Sequence, residues 1–402
     1  MGRACSEVAM TYPWRRRVRW TSLAVGAAVV LTACGAPEPE RVSGPAPRPS
    51  MTEPRAPAPS LSTTPEPTTT PSDRGTPGGI LETASVATGL QTPWGVAFLP
   101  DGSALVTLRD SAEVLRVDDR GQTRLSADGP GGAVPAVHHE SEDGLLGIAI
   151  GPDHGIYLYL TTDRDNRVVR YNLDGDDLVD PTVIIDGIPS HQNHNGGRLA
   201  FGPDGYLYVT TGDARQQDRA QDTDSLAGKI LRLTPTGDPA PGNPFGNAVW
   251  SYGHRNVQGI GWASDGRMYA SEFGTNEFDE LNLIEPGGNY GWPDIEGWAG
   301  RSGFIDPLVT WPTDEASPSG ITVTDDGVWM AALRGETLWF IPLGPGGEVG
   351  EPRPHRLGIG RLRDVVPAPD GSLWVMTSNT DGRGRPKAGD DRILRLVVRP
   401  PS

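Results

Sequence analysis

Residues 191–213 read His-Gln-Asn-His-Asn-Gly-Gly-Arg-Leu-Ala-Phe-Gly-Pro-Asp-Gly-Tyr-Leu-Tyr-Val-Thr-Thr-Gly-Asp. An apolar run follows the histidines and the glycine pair, turns at Pro-Asp-Gly, and continues as alternating Tyr-Leu-Tyr-Val up to a final aspartate. This pattern predicts two strands joined by a tight turn. The open ends of a hairpin lie side by side, so we expect His194 and Asp213 to meet. An imidazole held by a carboxylate is the arrangement of a general base, although a surface histidine in a glycine loop is the alternative.

The same apolar run and turn occur six times along the chain. The repeats are Gly95–Gly102, Gly147–Asp153, Arg198–Gly205, Gly259–Gly266, Gly320–Gly327 and Asp364–Gly371. Their turn aspartates are 52, 51, 61, 61 and 44 residues apart, and a strand of aromatic and aliphatic residues follows each turn. A repeat of three or four strands with this period is typical of a propeller blade. The sequence therefore predicts an all-β, six-bladed β-propeller, with a pair of β-sandwiches as the alternative.

The predicted propeller domain spans residues 80–402. Its final strand, residues 391–399, and its first, residues 80–88, are expected to complete one blade together. In propellers the ligand site lies over the central channel, where loops enter the innermost strands.

The first 79 residues differ in composition from the rest of the chain. Four arginines at positions 15–19 precede a short apolar run and Leu-Thr-Ala-Cys34, as in a bacterial lipoprotein signal. Residues 1–33 are therefore predicted to be a signal peptide, with Cys34 as the lipidated N-terminus of a protein on the outer face of the bacterial cell membrane. An ordinary signal peptide, a membrane helix and twin-arginine export are the alternatives. Residues 34–79, rich in Pro, Ser and Thr, are predicted to form a disordered tether.

The composition restricts the class of protein and its partners. The chain has 402 residues, a formal net charge of -16 and 2 cysteines. This length allows one large all-β domain or two medium ones. The acidic balance argues against nucleic acid as a partner, since no basic stripe is available to neutralise phosphates. Cys5 lies in the predicted signal and Cys34 would carry the lipid, so no disulfide is expected.

Charged and polar residues stand just before the predicted innermost strands. They are Glu140, Glu142, His194, Arg198, Arg255, Asn256, Arg361 and Arg363. Surface arginines are usually solvated, but arginines at equivalent positions of several blades would converge on one mouth. Convergent guanidinium groups suit a small ligand with several carboxylates, which they bind in pairs of hydrogen bonds.

The stretch from Ser271 to Pro293 is rich in glycine and in oxygen-bearing side chains and contains no histidine or cysteine. Such ligands favour a hard cation such as Ca²⁺ over zinc. The spacing is not that of an EF-hand, so the sequence indicates a calcium-binding stretch without defining its ligands.

Four motifs together resemble the soluble PQQ-dependent glucose dehydrogenase family, and in particular its aldose sugar dehydrogenase (glucose/sorbosone) branch. They are His194-x-Gly-Gly-Arg-Leu, Gly253-His-Arg-Asn-x-Gln-Gly, Asp279-Glu-Leu-Asn with Gly-Gly-Asn-Tyr-Gly-Trp-Pro, and Gly360-Arg-Leu-Arg-Asp-Val. The resemblance extends from about Leu90 to Leu396, and it implies a six-bladed propeller, as the repeat does.

The resemblance also implies an activity and a set of site residues. The histidine matching His194 takes a proton from the anomeric hydroxyl of a sugar while hydride passes to PQQ, and Asp213 holds that histidine. The implied cofactor contacts are Glu142, Arg255, Asn256, Arg334, Arg361 and Arg363. Backbone carbonyls of Gly274 and Thr275 are implied as ligands of the Ca²⁺ that polarises PQQ, and Glu280 and Tyr290 as ligands of a second Ca²⁺.

The chain departs from the family pattern at three positions. Glu142 stands where the family has glutamine, Arg334 where it has lysine, and Thr275 where it has proline. The loops that close over sugar and support dimerisation in the glucose enzyme are not evident, so we expect broad sugar specificity and a monomer. The sequence does not identify the electron acceptor.

Two other classes of protein fit parts of the pattern. A non-catalytic ligand- or protein-binding propeller would need neither the His194–Asp213 pair nor the arginines. A calcium-dependent lactonase propeller would place several carboxylate and asparagine side chains on the metal, whereas the predicted axis here is rich in arginine.

Overall fold

The structure, a computed structural model, describes residues 79–399. The predicted signal peptide, the lipidation site at Cys34 and the tether up to residue 78 lie outside the described residues. Among the residues described, no helix has the length and apolar character needed to cross a membrane.

The regular structure of residues 79–399 is β-strand except for two short 3-10 helices at Pro130–Gly132 and Gln217–Ala220. In chain order the strands are Ile80–Thr88 (β1), Pro93–Phe98 (β2), Ala104–Leu108 (β3), Glu113–Asp118 (β4), Gly121–Arg124 (β5), Leu145–Ile150 (β6), Ile156–Thr161 (β7), Asn166–Asp174 (β8), Asp177–Ile188 (β9), Leu199–Phe201 (β10), Leu207–Thr210 (β11), Lys229–Leu233 (β12), Val249–Tyr252 (β13), Val257–Trp262 (β14), Met268–Glu272 (β15), Phe278–Ile284 (β16), Val309–Pro312 (β17), Pro318–Thr324 (β18), Gly327–Ala332 (β19), Leu338–Pro342 (β20), Arg353–His355 (β21), Leu362–Pro367 (β22), Leu373–Thr377 (β23) and Arg392–Val398 (β24).

The strands of this part of the chain make six four-stranded antiparallel sheets. Five sheets take their strands in sequence order: β2–β5, β6–β9, β10–β13, β14–β17 and β18–β21. The sixth combines β22, β23 and β24 with β1, and β1 pairs with β24 from Ile80 opposite Val398 to Thr88 opposite Arg392. The predicted six-bladed propeller is confirmed, and so is the blade shared by the two ends of the domain.

The first strands of the blades form the inner ring. Strand β2 contacts both β6 and β22, and β14 contacts β10 and β18, so each inner strand lies between two others. Five of the six inner strands have a register shift near their start, between Pro93 and Val96 in β2 for example. A bulge redirects the side chains that follow it, so the pairing of these five inner strands is irregular where the chain enters them. In the remaining blade, β10 begins only after residues 194–197.

Apolar side chains fill the space between neighbouring blades. Tyr157 and Tyr159 of β7 belong to one buried cluster with Leu207, Val209 and Leu231 of the next blade. Each side chain of this size contributes roughly 2 kcal/mol when fully buried. This packing, repeated between sheets, gives the entry loops a rigid support.

Candidate active site

His194 and Asp213 lie at the open end of the β10–β11 hairpin, as the sequence predicts. Nδ1 of His194 is 2.8 Å from Oδ1 of Asp213. Gly212 packs so closely on the turn that a β-carbon there would lie 1.8 Å from the carbonyl oxygen of His194. The absence of a side chain at Gly212 is therefore what permits the two residues to approach.

Asp213 is fully buried and accepts three hydrogen bonds. Besides His194, the indole of Trp292 donates to its Oδ2 at 2.9 Å and the amide of Arg215 donates to its Oδ1 at 2.8 Å. Burial opposes its ionisation, but the hydrogen bonds from His194, Arg215 and Trp292 outweigh burial and lower its pKa. Asp213 is therefore an ionised carboxylate aimed at the imidazole.

Arg255 contacts the other side of the His194 ring. Its Nη2 is 2.9 Å from Nε2 of His194, and its Nη1 donates to the carbonyl of Phe273 at 3.2 Å. A guanidinium can only donate, so Nε2 must accept and carries a lone pair. The proton of the neutral imidazole then resides on Nδ1 and is donated to Asp213. Burial lowers the pKa of Arg255, although nearby carboxylates, Asp213 first among them, oppose this effect.

His194, Arg255 and most of the other predicted site residues line one cavity of about 400 Å³. The lining residues are Trp94, Arg109, Glu142, His194, Arg255, Asn256, Gln258, Phe273, Gly274, Ser317, Leu333, Arg334, Arg361, Arg363 and Arg383. Six of them are arginines, as expected for a site that binds an anion. Asn256 also fixes the hairpin, because its Oδ1 accepts the amide of Gly196 at 3.0 Å.

Seven lining residues are absent from the predicted site: Trp94, Arg109, Gln258, Phe273, Ser317, Leu333 and Arg383. Trp94 stands just before the first apolar run, so the same positional rule would have found it. Gln258 lies inside β14, Arg109 follows β3, and Arg383 lies in the β23–β24 loop. Arg109 and Arg383 do not precede an innermost strand, and the repeat has no signal for them, whereas Gln258 stands in the motif Gly253-His-Arg-Asn-x-Gln-Gly.

Arg361 and Arg363 differ in how closely a carboxylate, that of Asp381, pairs with their charge. Arg361 donates to Oδ2 of Asp381 through Nη2 at 2.9 Å and Nε at 3.1 Å. Arg363 is 3.9 Å from the same oxygen and instead donates to Oε1 of Gln258 at 2.8 Å. Burial, partly opposed by Asp381, lowers the pKa of Arg363 to about 9.

Some buried donors of the cavity have no acceptor among the described residues. They are Nε of Arg255 and Nε of Arg363. A buried N–H without a partner costs about 1–3 kcal/mol, so a ligand with acceptor atoms would recover that free energy. The cavity is thus suited to a compact ligand with several anionic oxygens.

Trp94 supplies an aromatic surface in the same cavity. It is only 2% exposed, and the guanidinium carbon of Arg198 lies 4.5 Å from its ring centroid. Arg198 itself does not line the cavity, in contrast to the sequence prediction, because Nη1 donates to Asp364 at 2.6 Å below the tryptophan ring. Arg198 therefore supports Trp94 and is not a ligand contact.

The loop that carries Gly274 and Thr275 is held by two carboxylates. One oxygen of Glu296 accepts the amides of residues 275–278, and that of Thr275 is at 2.9 Å. Asp279 accepts the amide of Gly274 at 2.9 Å and that of Ser317 at 2.6 Å. Gly274 lines the cavity and Thr275 does not.

Backbone carbonyls are the available cation ligands in this loop. Within residues 79–399 no hydrogen bond uses the carbonyl oxygen of Gly274 or Thr275. The same part of the chain contains no group of three or more His, Cys, Asp or Glu side chains arranged to hold a metal ion. The loop is therefore compatible with Ca²⁺ bound mainly by carbonyl oxygens and by a ligand in the cavity.

Glu280 and Tyr290, the other predicted metal ligands, border a second, much smaller cavity together with Glu272 and Glu296. Burial, followed by the charge of Glu272, raises the pKa of Glu280 to about 8. The hydroxyl of Tyr290 donates to the carbonyl of Leu283 at 2.6 Å, so only the backbone of this residue is free to bind a cation. Glu272, Glu280 and Glu296 border this cavity, but among the described residues they do not form a group arranged to hold a metal ion.

Comparison with known proteins agrees with this geometry. A family model described as glucose/sorbosone dehydrogenase matches residues 90–395. The PQQ-bound aldose sugar dehydrogenase of Streptomyces coelicolor is 51% identical, with a TM-score of 0.75 over 80% of this chain and 98% of that chain.

Two relatives support the same grouping. Aldose sugar dehydrogenase YliI of Escherichia coli is 32% identical over 73% of this chain and 89% of its own length. Quinoprotein glucose dehydrogenase B of Acinetobacter calcoaceticus is 32% identical over 54% of this chain and 54% of its own length. The family match covers nearly all described residues and includes every element of the cavity, and on this evidence the chain belongs to the glucose/sorbosone dehydrogenase family.

Proposed function

We propose that this protein oxidises the anomeric hydroxyl of aldose sugars to the lactone, with PQQ and Ca²⁺ as cofactors and His194 as the base. The observation that carries the proposal is the placement of His194 at an arginine-lined cavity, with Nε2 2.9 Å from Nη2 of Arg255 and Nδ1 2.8 Å from Oδ1 of buried Asp213. The PQQ-bound relative at 51% identity supports the choice of cofactor.

The residues of the cavity fit PQQ, a planar quinone with three carboxylates. Arg255, Arg361 and Arg363 would bind carboxylate or quinone oxygens, and two unpartnered Nε–H donors already point to a missing acceptor. Asn256 lines the same wall, and Arg334 is exposed at the rim. Ca²⁺ would be held by the carbonyls of Gly274 and Thr275, and a second Ca²⁺ by Glu280 and Tyr290.

When bound, PQQ supplies a hydride acceptor and Ca²⁺ polarises it. The chain's own residues handle the proton. A sugar hydroxyl replaces Arg255 as the donor to Nε2 of His194, which then takes the proton as the C1–H hydride leaves and the C1=O bond forms. Asp213 stabilises the imidazolium that results, because its carboxylate is ionised and buried against Nδ1.

The arginine-rich axis also favours this function over the alternatives. A calcium-dependent lactonase would bind its metal through side-chain carboxylates at the channel, whereas this channel offers guanidinium groups. A non-catalytic propeller would not require a histidine that is oriented by a buried carboxylate.

The test uses the domain from residue 80 onward, produced without cofactor. PQQ and Ca²⁺ are added, and dye reduction is followed with a panel of aldoses beside a His194→Ala control. The proposal predicts sugar-dependent reduction that needs both additions and is lost in H194A, while H194A still binds PQQ. Failure of the unsubstituted domain to bind PQQ at micromolar concentration would contradict it, as would full activity of H194A.

We also infer that the protein is exported, lipid-anchored through Cys34 after removal of residues 1–33, and monomeric. The arginine cluster, the short apolar run and the Leu-Thr-Ala-Cys34 sequence support export and lipid anchoring. The monomeric state is inferred because the loops that support dimerisation in the glucose enzyme are not evident in the sequence. Fractionation of cells expressing the full chain and a Cys34→Ser variant tests it. The full chain is expected in the membrane fraction and the variant outside it, and equal distribution of the two would contradict lipid anchoring.

A further inference from the structure

An ion pair crosses the mouth of the cavity. Nη1 of Arg383, in the β23–β24 loop, is 2.5 Å from Oε1 of Glu142, in the loop before β6. The two residues are 241 positions apart and belong to blades that are separated by the blade of β2–β5. The pair therefore connects loops of two blades that are not neighbours in the ring.

Glu142 also contacts the backbone of the catalytic histidine. Its second oxygen accepts the backbone amide of His194 at 3.3 Å, and its own amide donates to the carbonyl of Gln192 at 2.9 Å. His194 has a φ of 62°, in the left-handed region that disfavours a residue with a side chain by about 1–2 kcal/mol. A carboxylate that accepts this amide helps to keep His194 in its strained conformation.

Arg383 is placed by the same aspartate that orders the buried arginines. Oδ1 of Asp381 accepts the amide of Arg383 at 2.9 Å, and its Oδ2 accepts Nη2 of Arg361 at 2.9 Å. The side chain of Arg383 is 54% exposed, against 10% for Arg361 and 6% for Arg363. Of these three arginines, Arg383 is therefore the one that faces solvent, while Arg361 and Arg363 are buried.

The charge of Glu142 makes this pairing necessary. Among the described residues that line the cavity, Glu142 is the one carboxylate. Burial opposes its ionisation, but the charge and hydrogen bond of Arg383 outweigh burial and lower its pKa. An unpaired carboxylate at this position would repel an anionic ligand and would be free to move away from His194.

We propose that Arg383 is a positioning residue of the dehydrogenase site: it neutralises Glu142 and holds the Glu142 carboxylate against the His194 amide, so that the cavity accepts an anionic cofactor. The proposal rests on the proposed PQQ-dependent function. It assigns to Arg383 an indirect role through Glu142 and not a contact with the reacting atoms.

The test is a double-mutant cycle on PQQ binding. The Kd for PQQ is measured in the presence of Ca²⁺, by quenching of tryptophan fluorescence, for the unsubstituted domain, Arg383→Gln, Glu142→Gln and the double variant. R383Q is expected to raise Kd about tenfold, whereas the same change in the E142Q background is expected to alter Kd less than about twofold. Arg383→Lys keeps the positive charge, so its affinity for PQQ should be close to that of the unsubstituted domain and higher than that of R383Q.

Two further measurements separate positioning from a general loss of structure. At saturating PQQ, R383Q is expected to lower kcat for sugar with little change in KM, because the support of the His194 backbone weakens. Arg385→Gln removes the same charge from an exposed position of the same loop that does not line the cavity, and it should leave Kd and kcat unchanged. Thermal unfolding of each variant identifies any that fail to fold.

The outcomes distinguish this proposal from the proposed function. An equal effect of the arginine substitution in both backgrounds would contradict the role of Glu142, and an equal effect of R385Q would contradict the role of position 383. If the unsubstituted domain binds PQQ and R383Q binds it equally well with equal kcat, only the positioning proposal fails. If the unsubstituted domain binds no PQQ, both fail.

Discussion

Nη2 of Arg255 lies 2.9 Å from Nε2 of His194, on the side of the imidazole opposite Asp213. The ring is therefore held between a donor and an acceptor, and only one neutral tautomer satisfies both. Arg255 also donates its backbone amide to Glu272, and its carbonyl accepts the amide of Asp213 at 2.8 Å. One residue thus positions both members of the pair, and three predictions follow from the site around it.

The first prediction concerns Asp213. Asp213→Asn leaves one acceptor oxygen where His194, Trp292 and Arg215 now find two, so at least one buried donor loses its partner. We expect kcat for aldose oxidation to fall roughly 10²- to 10⁴-fold. PQQ affinity should stay within about threefold, since Asp213 does not line the cavity.

The measurement is steady-state dye reduction at saturating PQQ, with a PQQ titration as the control for binding. A D213N variant with near-normal kcat would contradict the role of Asp213 as the group that orients His194. A parallel loss of PQQ binding would instead indicate that the cavity itself had changed.

The second prediction compares two neighbouring arginines. Arg361 is compensated by Asp381 at 2.9 Å, whereas Arg363 is 3.9 Å from that carboxylate and has an unpartnered Nε. Arg363→Gln should therefore weaken PQQ binding roughly 30-fold, and Arg361→Gln only about threefold. Each variant serves as the control for the other because the two substitutions are chemically identical.

Equilibrium titration of both variants with PQQ checks this order of effects. The reverse order, with R361Q the weaker binder, would mean that the ion pair to Asp381 opens when the ligand enters.

The third prediction concerns the carboxylates around Glu280. Its pKa is raised from 4.5 to about 8, chiefly by burial and then by Glu272, so the folded state holds a proton that the unfolded chain releases. For the protein without cation, this contribution to stability is complete below pH 4.5 and is lost as the pH rises through about 8. The Ca²⁺ that we propose at Glu280 would bind the ionised form, so the increase in Tm on adding Ca²⁺ should grow over the same pH range.

Thermal unfolding between pH 5 and pH 8, with and without Ca²⁺ and without PQQ, measures this effect. Glu280→Gln is neutral at every pH, so it should lose both the pH dependence assigned to this group and the response to Ca²⁺. An E280Q variant that Ca²⁺ stabilises as much as it does the unsubstituted domain would show that the cation binds elsewhere.

The sequence by itself determined the repeated part of this protein. Blade number, the shared blade at residues 80–88 and 391–399, and the approach of His194 to Asp213 all follow from apolar periodicity and turn residues, which act over a few residues of chain. Arg255, Arg361 and Arg363 could be predicted to share the cavity because each stands at the entry of an innermost strand, a position that the repeat defines.

The tertiary structure alone decided the contacts between loops. Arg109 and Arg383 join the cavity, Arg383 pairs with Glu142 across 241 residues, Glu296 binds four amides of the loop at 275–278, and Arg198 supports Trp94 from below. These residues have no periodic position, and their partners are set by the closure of the ring. When six sheets close around one axis, loops far apart in sequence meet at the rim, and geometry rather than local pattern determines which side chains pair.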